Sequence, residues 1–242
     1  MIRRGASTFP GLPRQAIVLA AGRGERLRPL TDRLPKPLVP LRGHALIDYH
    51  LHRLRRAGIQ HCVINIAHLA QLIVQHVGNG SRYGLRVTYS PEPPGALETG
   101  GGILHALSLL HDAPFLAVNA DIYCEFDFLA LAHRPASPAH LVLIDNPRHH
   151  PRGDFTLCGY RVGNEASPRL TFSGIGVYST ALFENAPNAR RFPLAPLLRV
   201  AAARGDVTGE HFKGRWFDLG TTTRLAHATA ALDVKRRNRI AI

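Results

Sequence analysis

After Gln15, residues 16–21 read AIVLAA, an apolar run with no polar alternation, and GRGER follows at once. A strand whose side chains alternate has one wet face, whereas one that is apolar throughout is covered on both. Such a strand belongs in a parallel sheet with helices packed on each side. It ends in a glycine-containing turn, and sheets of this kind bind ligands beyond the carboxyl ends of their strands.

The following segments keep the same alternation of strand and helix. ALIDYHLHRLRRA at 45–57 places Leu46, Ile47, Tyr49, His50, Leu54 and Ala57 on a helical period that Gly58 stops. A strand is expected at 61–67, a helix at 69–77 and a strand at 85–90. ETGGG at 98–102 reads as a turn opening a helix at 103–110, before a buried strand at 115–119. Strand-like runs at 140–144, 155–162 and 170–178 then follow with little helix between them. A helix near 194–203, a short strand around 207–211, a WFDLGT segment at 216–221 and a helix to about 233 close the chain. The expected organisation is one domain over 14–234, with a nucleotide half to about 125 and an acceptor half from about 126. Residues 1–13 are expected to be a disordered extension and 235–242 a basic tail.

Charge narrows the range of partners. The net charge is +13, but residues 1–56 hold 12 Arg and Lys against 3 Asp and Glu, and 235–242 add 4 basic residues. The stretch 57–234 is neutral, with 14 of each sign. The excess therefore gathers at the opening turn, the helix after it and the tail, which suits an anionic small ligand. No aromatic and basic residues interleave as nucleic-acid binding would require. No apolar run reaches the roughly 20 residues of a membrane span. The start of the chain lacks the apolar core of a secretory signal, so a cytoplasmic location is the expectation. Cys62, Cys124 and Cys158 have no metal-ligand spacing and read as buried, reduced thiols.

The turn AAGRGERLRPLTDRLPKPL at 20–38 can be tested against known phosphate-binding designs. A dinucleotide fingerprint places a third glycine three residues after Gly24, where this chain has Leu27. A Walker loop requires Gly-Lys-Ser/Thr before its helix, which is absent here. What remains is a tight turn whose glycines, Gly22 and Gly24, allow close backbone approach, with Arg26 and Lys36 as cations. Lys36 stands out because the chain has 27 Arg and only 3 Lys. A lysine is a compact point charge, suited to one phosphate oxygen rather than a planar bidentate contact.

The run GxGxRxxPLTxxxPKPL resembles the signature of the sugar-phosphate nucleotidyltransferases, and the resemblance continues over almost the whole chain. VNADI at 118–122 is similar to the segment carrying that family's metal-binding aspartate, and WFDLGT at 216–221 to its second one. YSPE at 89–92, LETGGGI at 97–103, DNPRHHPRGDF at 145–155 and FSGIGVY at 172–178 resemble a uridylyltransferase branch whose acceptor sugar carries a carboxylate. The resemblance implies a three-layer, Rossmann-like (GT-A-like) α/β fold with a mixed, mainly parallel central sheet. The implied substrates are UTP and a sugar-1-phosphate, with Mg²⁺ as cofactor and no nucleic acid, membrane or obligate protein partner. Relatives that use GTP and mannose-1-phosphate share LETGGG, and a non-catalytic nucleotide-sugar sensor would share the fold.

On the same resemblance, Arg26, Lys36, Asp121 and Asp218 are the catalytic candidates, and the two aspartates are the metal ligands. Ala20, Ala21, Gly22, Gly24, Glu25, Glu98, Thr99 and Asn119 would join Arg26 and Lys36 around the nucleotide. Asp154 and Ser173 would meet the sugar phosphate. Arg148, His149, His150 and Arg152 form a basic cluster that could meet the extra carboxylate, with Arg148 and Arg152 as the leading candidates.

Overall fold

The computed structural model of the chain describes residues 11–240, apart from 112, 113, 135, 166, 167, 185 and 188. The opening run forms β1 (Gln15–Leu19), whose odd and even side chains are buried against different layers. After the strands β2 (Pro40–Leu41) and β3 (His44–Ala45) come α1 (Leu46–Arg56), β4 (His61–Ile66), α2 (Ala70–Val77) and β5 (Arg86–Pro91). They are followed by α3 (Glu98–Ala106), β6 (Phe115–Asn119), β7 (Ile122–Cys124) and β8 (Ala139–Ile144). The second half continues with β9 (Thr156–Cys158), β10 (Arg161–Gly163), β11 (Thr171–Tyr178), α4 (Leu194–Ala203) and β12 (Val207–Phe212). The chain closes with β13 (Trp216–Asp218) and α5 (Thr222–Ile240).

The central sheet has nine strands in the order β5-β4-β1-β6-β11-β8-β12-β10-β9. The first four are parallel, and only β11 and β10 run against the rest. Ala16, Val18 and Ala20 pack with Ile47, Leu51 and Leu54 of α1 and Ile73 of α2. Ile17 packs on the other side with Ile103 of α3 and Leu194, Leu197 and Leu198 of α4. This gives the three layers that a doubly apolar strand demands. A third core joins Leu27, Val39 and Leu41 of the opening segment to Leu219, Ala228 and Leu232 around α5. Among the described residues no helix is long and apolar enough to cross a membrane.

Four expectations are corrected. ETGGG is not a turn before a helix, because α3 begins at Glu98 and contains all three glycines. The amides of Gly100 and Gly101 both donate to the Phe192 carbonyl at 3.0 Å. A Cβ at Gly100 would lie 2.4 Å from the Phe192 ring, and one at Gly101 2.3 Å from the Arg190 carbonyl oxygen. The glycines are therefore contact sites for the 190–192 segment, which offsets their roughly 1 kcal/mol helix penalty apiece. The run at 155–162 is split into the hairpin β9–β10, whose two-residue turn has Gly159 at φ 57°. Cys158, expected to be buried, is exposed on that hairpin, whereas burial pushes the Cys62 thiol up to about 12 and Cys124 up to about 11. The closing helix, expected to stop near 233, runs to Ile240.

Asp48 joins three pieces of one helical layer. Its Oδ2 accepts from the Ala45 amide at 3.2 Å, capping α1. Its Oδ1 accepts from the Tyr83 hydroxyl at 2.5 Å and lies 2.8 Å from His76 Nε2 of α2. Burial raises its pKa, but Tyr83, His76 and Arg82 outweigh burial and hold it below the ordinary 3.8. A carboxylate held down in this way stabilises the fold above its unfolded pKa, and that contribution is lost as pH falls through the lower folded value. Asp48→Asn is expected to cost about 1–3 kcal/mol in urea unfolding at pH 7. The gap to wild type should narrow as pH drops below about 4. An equal gap at both pH values would show that the charge is not its source.

Candidate active site

Strand order reverses between β1 and β6, since β4 and β5 continue on one side of β1 and β6 lies on the other. The crevice at their carboxyl ends is where such a sheet can hold a ligand. From β1 the chain enters the turn at Ala20, whose amide donates to Asn65 Oδ1 at 2.6 Å. Gly24 adopts the left-handed conformation at φ 68°, and a Cβ there would lie 3.1 Å from Lys36 Cβ. The turn thus folds down on the Lys36 stem. Lys36 is only 7% exposed, and its ammonium reaches Asp121 Oδ2 at 2.5 Å.

Asp121 follows β6 and precedes β7, and β7 pairs antiparallel with β13. The Leu219 amide donates to the Asp121 carbonyl at 3.0 Å, so Asp218 and Asp121 meet at one cavity although 97 residues separate them in sequence. Asp218 Oδ1 accepts from the Gly220 amide at 2.7 Å. Its Oδ2 pairs with Arg224 of α5 and lies 3.4 Å from His149 Nε2. Burial pushes the pKa of His149 down, the nearby Arg224 adds to this, and Asp218 opposes both. A Cβ on Gly220 would stand 2.8 Å from Arg26 Nη2 and 2.7 Å from Asp218 Oδ1, so glycine is what lets the guanidinium approach.

Three adjoining cavities share these residues. Ala20, Ala21, Gly22, Lys36, Glu98, Thr99, Asn119 and Asp121 line the first. Gly24, Glu25 and Arg26 line the second, of about 1130 Å³, together with Lys36 and Asp121. Arg26, Asn119, Asp121, Ser173 and Asp218 line the third, of about 350 Å³, beside β11 and β13. Thr99 also uses its hydroxyl to accept from the Leu194 amide at 3.0 Å, and Glu98 pairs with Arg191 at 3.2 Å. Arg148 and Arg152 are exposed and line none of these cavities, whereas His149 and His150 line the third. Asp154 lines none of them either, because its carboxylate is taken by His150 Nε2 at 3.0 Å and the Phe172 amide at 2.9 Å.

A sequence-family model described as nucleotidyl transferase matches residues 15–156. The chain belongs to that family. It is 45% identical over 224 residues to the N-acetylmuramate alpha-1-phosphate uridylyltransferase of Neisseria meningitidis serogroup B, covering 89% of this chain and 97% of that protein. A protein of the same name from Caulobacter vibrioides is 35% identical over 237 residues, covering 91% and 97%. Among solved structures, the inositol-1-phosphate CTP transferase from T. maritima is similar with a TM-score of 0.75, covering 92% of this chain and 97% of that one. At 17% identity that likeness is one of fold.

Several residues of this nucleotidyl transferase cleft escaped the reading of the sequence. Asn65 is 3% exposed and bridges the turn after β1 to Glu92, with its Nδ2 donating to Glu92 Oε1 at 2.6 Å. Glu92 Oε2 in turn accepts from the Leu97 amide at 2.7 Å, so one pair ties three loops. A Cβ at Gly102 would lie 2.5 Å from Glu92 Oε1, which accounts for the third glycine of α3. The available signal was an asparagine inside the apolar run HCVINIA. His50 is buried in α1 beneath the Asp121 loop, and its Nε2 has no partner among the described residues. Burial, reinforced by Arg53, pushes its pKa down to about 4, against the backbone of Ile122 and the charge of Asp121.

Gly220→Ala tests the approach of Arg26 to Asp218. It is expected to lower kcat/KM about 100-fold, as displacement of reacting groups by an ångström does. The thermal midpoint should move by no more than about 4 °C. Steady-state kinetics and a melting curve check both, and activity within about twofold of wild type would sink the idea.

Proposed function

We propose that this enzyme transfers UMP from UTP to N-acetylmuramate α-1-phosphate, giving UDP-N-acetylmuramate and pyrophosphate, in the recycling of cell-wall sugars. The observation that carries the reading is 45% and 35% identity to two proteins of that name over nearly the whole of each. The cleft supports it by gathering Arg26, Lys36, Asp121 and Asp218 at the carboxyl edge of the sheet.

In this reaction an oxygen of the acceptor phosphate attacks the α-phosphorus of UTP. The new P–O bond forms as the bond to the bridging oxygen breaks, and pyrophosphate leaves with that electron pair. A phosphate monoester has its second pKa near 6, so it is largely ionised at pH 7 and no general base is needed. The work that remains is positioning and charge neutralisation. The backbone of Gly22–Gly24 would lie along the triphosphate, with the Lys36 ammonium on one oxygen. Arg26 lines both the large cavity and the acceptor cavity, so it is available to charge developing between the two substrates.

The donor set at Asp121 and Asp218 fits Mg²⁺. That ion is usually held by one or two carboxylates, with phosphates and water completing its shell. Among the described residues no three His, Cys, Asp or Glu side chains are grouped to cage a metal, so phosphate oxygens would have to complete the site. When bound, the ion supplies charge neutralisation on the phosphates.

Pyrophosphate release measured for each NTP against a panel of sugar-1-phosphates tests the reading. Turnover is expected with UTP and N-acetylmuramate-1-phosphate and to require Mg²⁺. Comparable turnover with GTP and mannose-1-phosphate would overturn it. Asp121→Asn is expected to lower turnover at least about 1000-fold. Its far-UV circular dichroism should stay native, and retained activity would remove the aspartate from the mechanism.

A further inference from the structure

We propose that His150, held by Asp154, reads the carboxylate of the acceptor's lactyl group; this rests on the acceptor proposed above. N-acetylmuramate-1-phosphate carries two anions, the reacting phosphate at C1 and a carboxylate on the ether substituent at C3. N-acetylglucosamine-1-phosphate is the same sugar without the second anion. To react, the phosphate must sit where Arg26, Asp121 and Asp218 meet. The carboxylate, borne elsewhere on the ring, needs a donor in the acceptor cavity that is not already committed to that centre.

Four described side chains lining this cavity can carry positive charge: Arg26, His149, His150 and Arg224. Arg26 also lines the nucleotide side, and Arg224 and His149 both engage Asp218. His150 is the one whose partner lies elsewhere, with Nε2 3.0 Å from Asp154 Oδ1. Asp154 is fixed in turn by the Phe172 amide at 2.9 Å, where β11 shifts register between Phe172 and Gly176. A histidine oriented through one ring nitrogen by a carboxylate presents its other nitrogen in a defined direction. The His150 Nδ1 makes no hydrogen bond among the described residues. Histidine in its doubly protonated form has two donors, so it can bond one carboxylate through each ring nitrogen. Arg148 and Arg152, on either side in the sequence, are exposed and outside the cavity. His150 is thus the specificity residue and Asp154 its positioning residue.

The test is kcat and KM, with UTP, for N-acetylmuramate-1-phosphate and N-acetylglucosamine-1-phosphate. His150→Ala is expected to lower kcat/KM for the first acceptor about 10- to 100-fold, mostly through KM, the loss typical of a hydrogen bond to a charged group. For the second acceptor it should change kcat/KM by less than about twofold, because no carboxylate is present to lose a partner. His150→Gln, which keeps polar bulk, covers the case in which the alanine variant does not fold, and should show the same selective loss. Asp154→Asn should raise KM for the first acceptor selectively with kcat unchanged, which a merely structural role would not do. Arg148→Ala with Arg152→Ala should leave the preference intact. Equal losses for both acceptors, an unchanged preference in the His150 variants, or loss of preference in the arginine double variant would each overturn the proposal. Failure of the acceptor assignment is distinguishable, because wild-type enzyme would then show no turnover of N-acetylmuramate-1-phosphate before any substitution.

Discussion

The ion pair between Lys36 and Asp121 is the contact on which the cleft depends. An ammonium at 7% exposure is costly to bury without an anion, and Asp121 Oδ2 at 2.5 Å supplies one. To make the pair, the segment after β1 must leave the sheet and return across the crevice to the end of β6. Pro35 and Pro37 flank the lysine in a short 3-10 turn, which limits the backbone freedom lost in holding it there. The outer side of the segment is secured by Leu27, Val39 and Leu41 against the start and middle of α5. The same helix carries Arg224, and the strand before it carries Asp218. Hydrophobic packing of the chain's two ends thereby fixes the polar wall between them.

That wall alternates in sign. Lys36 faces Asp121, and Asp218 faces Arg224, with Arg26 lying over Gly220. Lys36 and Arg224 are each paired with a carboxylate within the protein, and the cleft still presents both cations and carboxylates to a ligand. A polyanion with a divalent cation matches such a surface better than either alone, since each finds groups already oriented for it. Part of the positive excess at residues 1–56 lies on this turn and on α1, and the neutral stretch 57–234 separates it from the basic residues at 235–242 in sequence.

The strands were legible because their apolar runs are continuous. Up to residue 119 each expected strand, and the helices at 45–57 and 69–77, exist within two residues of their expected bounds, whereas α3 starts five residues before 103. The misreadings in the cleft share one cause, since contact between distant segments leaves no local trace. The glycines of ETGGG look like turn formers, but Phe192, Arg190 and Glu92 decide their conformation from 90 residues downstream or from another loop. In DNPRHHPRGDF the sequence displays four basic side chains and no direction for any of them. Arginine is the better anion ligand in general, which favoured Arg148 and Arg152, but the loop turns the histidines into the cavity instead. Asn65 came from a segment read as plain strand and Glu92 from YSPE, where it was given no role of its own, and only the assembled sheet brings their side chains together.

The reversed strand β11 is what joins the two halves chemically. In a purely parallel sheet, only residues at strand ends would reach the ligand edge. Because β11 runs antiparallel beside β6, with Ile175 opposite Val118, its first residues stand at the same edge as the end of β6. Asn119 packs against Gly174 there, where a Cβ would lie 2.8 Å from the Asn119 amide nitrogen. Ser173 is held in the same place by the Trp216 indole, which donates to its carbonyl at 2.8 Å. Asp154 fastens the 146–154 loop to Phe172, one residue before Ser173. Lys36, Asp121 and Asp218 therefore sit on the opening segment and at the ends of β6 and β13, while Ser173 and Asp154 sit on β11 and a loop hung from it. Substitutions at His150 or Asp154 leave the partners of Lys36, Asp121 and Asp218 untouched, whereas His149 of the same loop lies 3.4 Å from Asp218 and links the two sets.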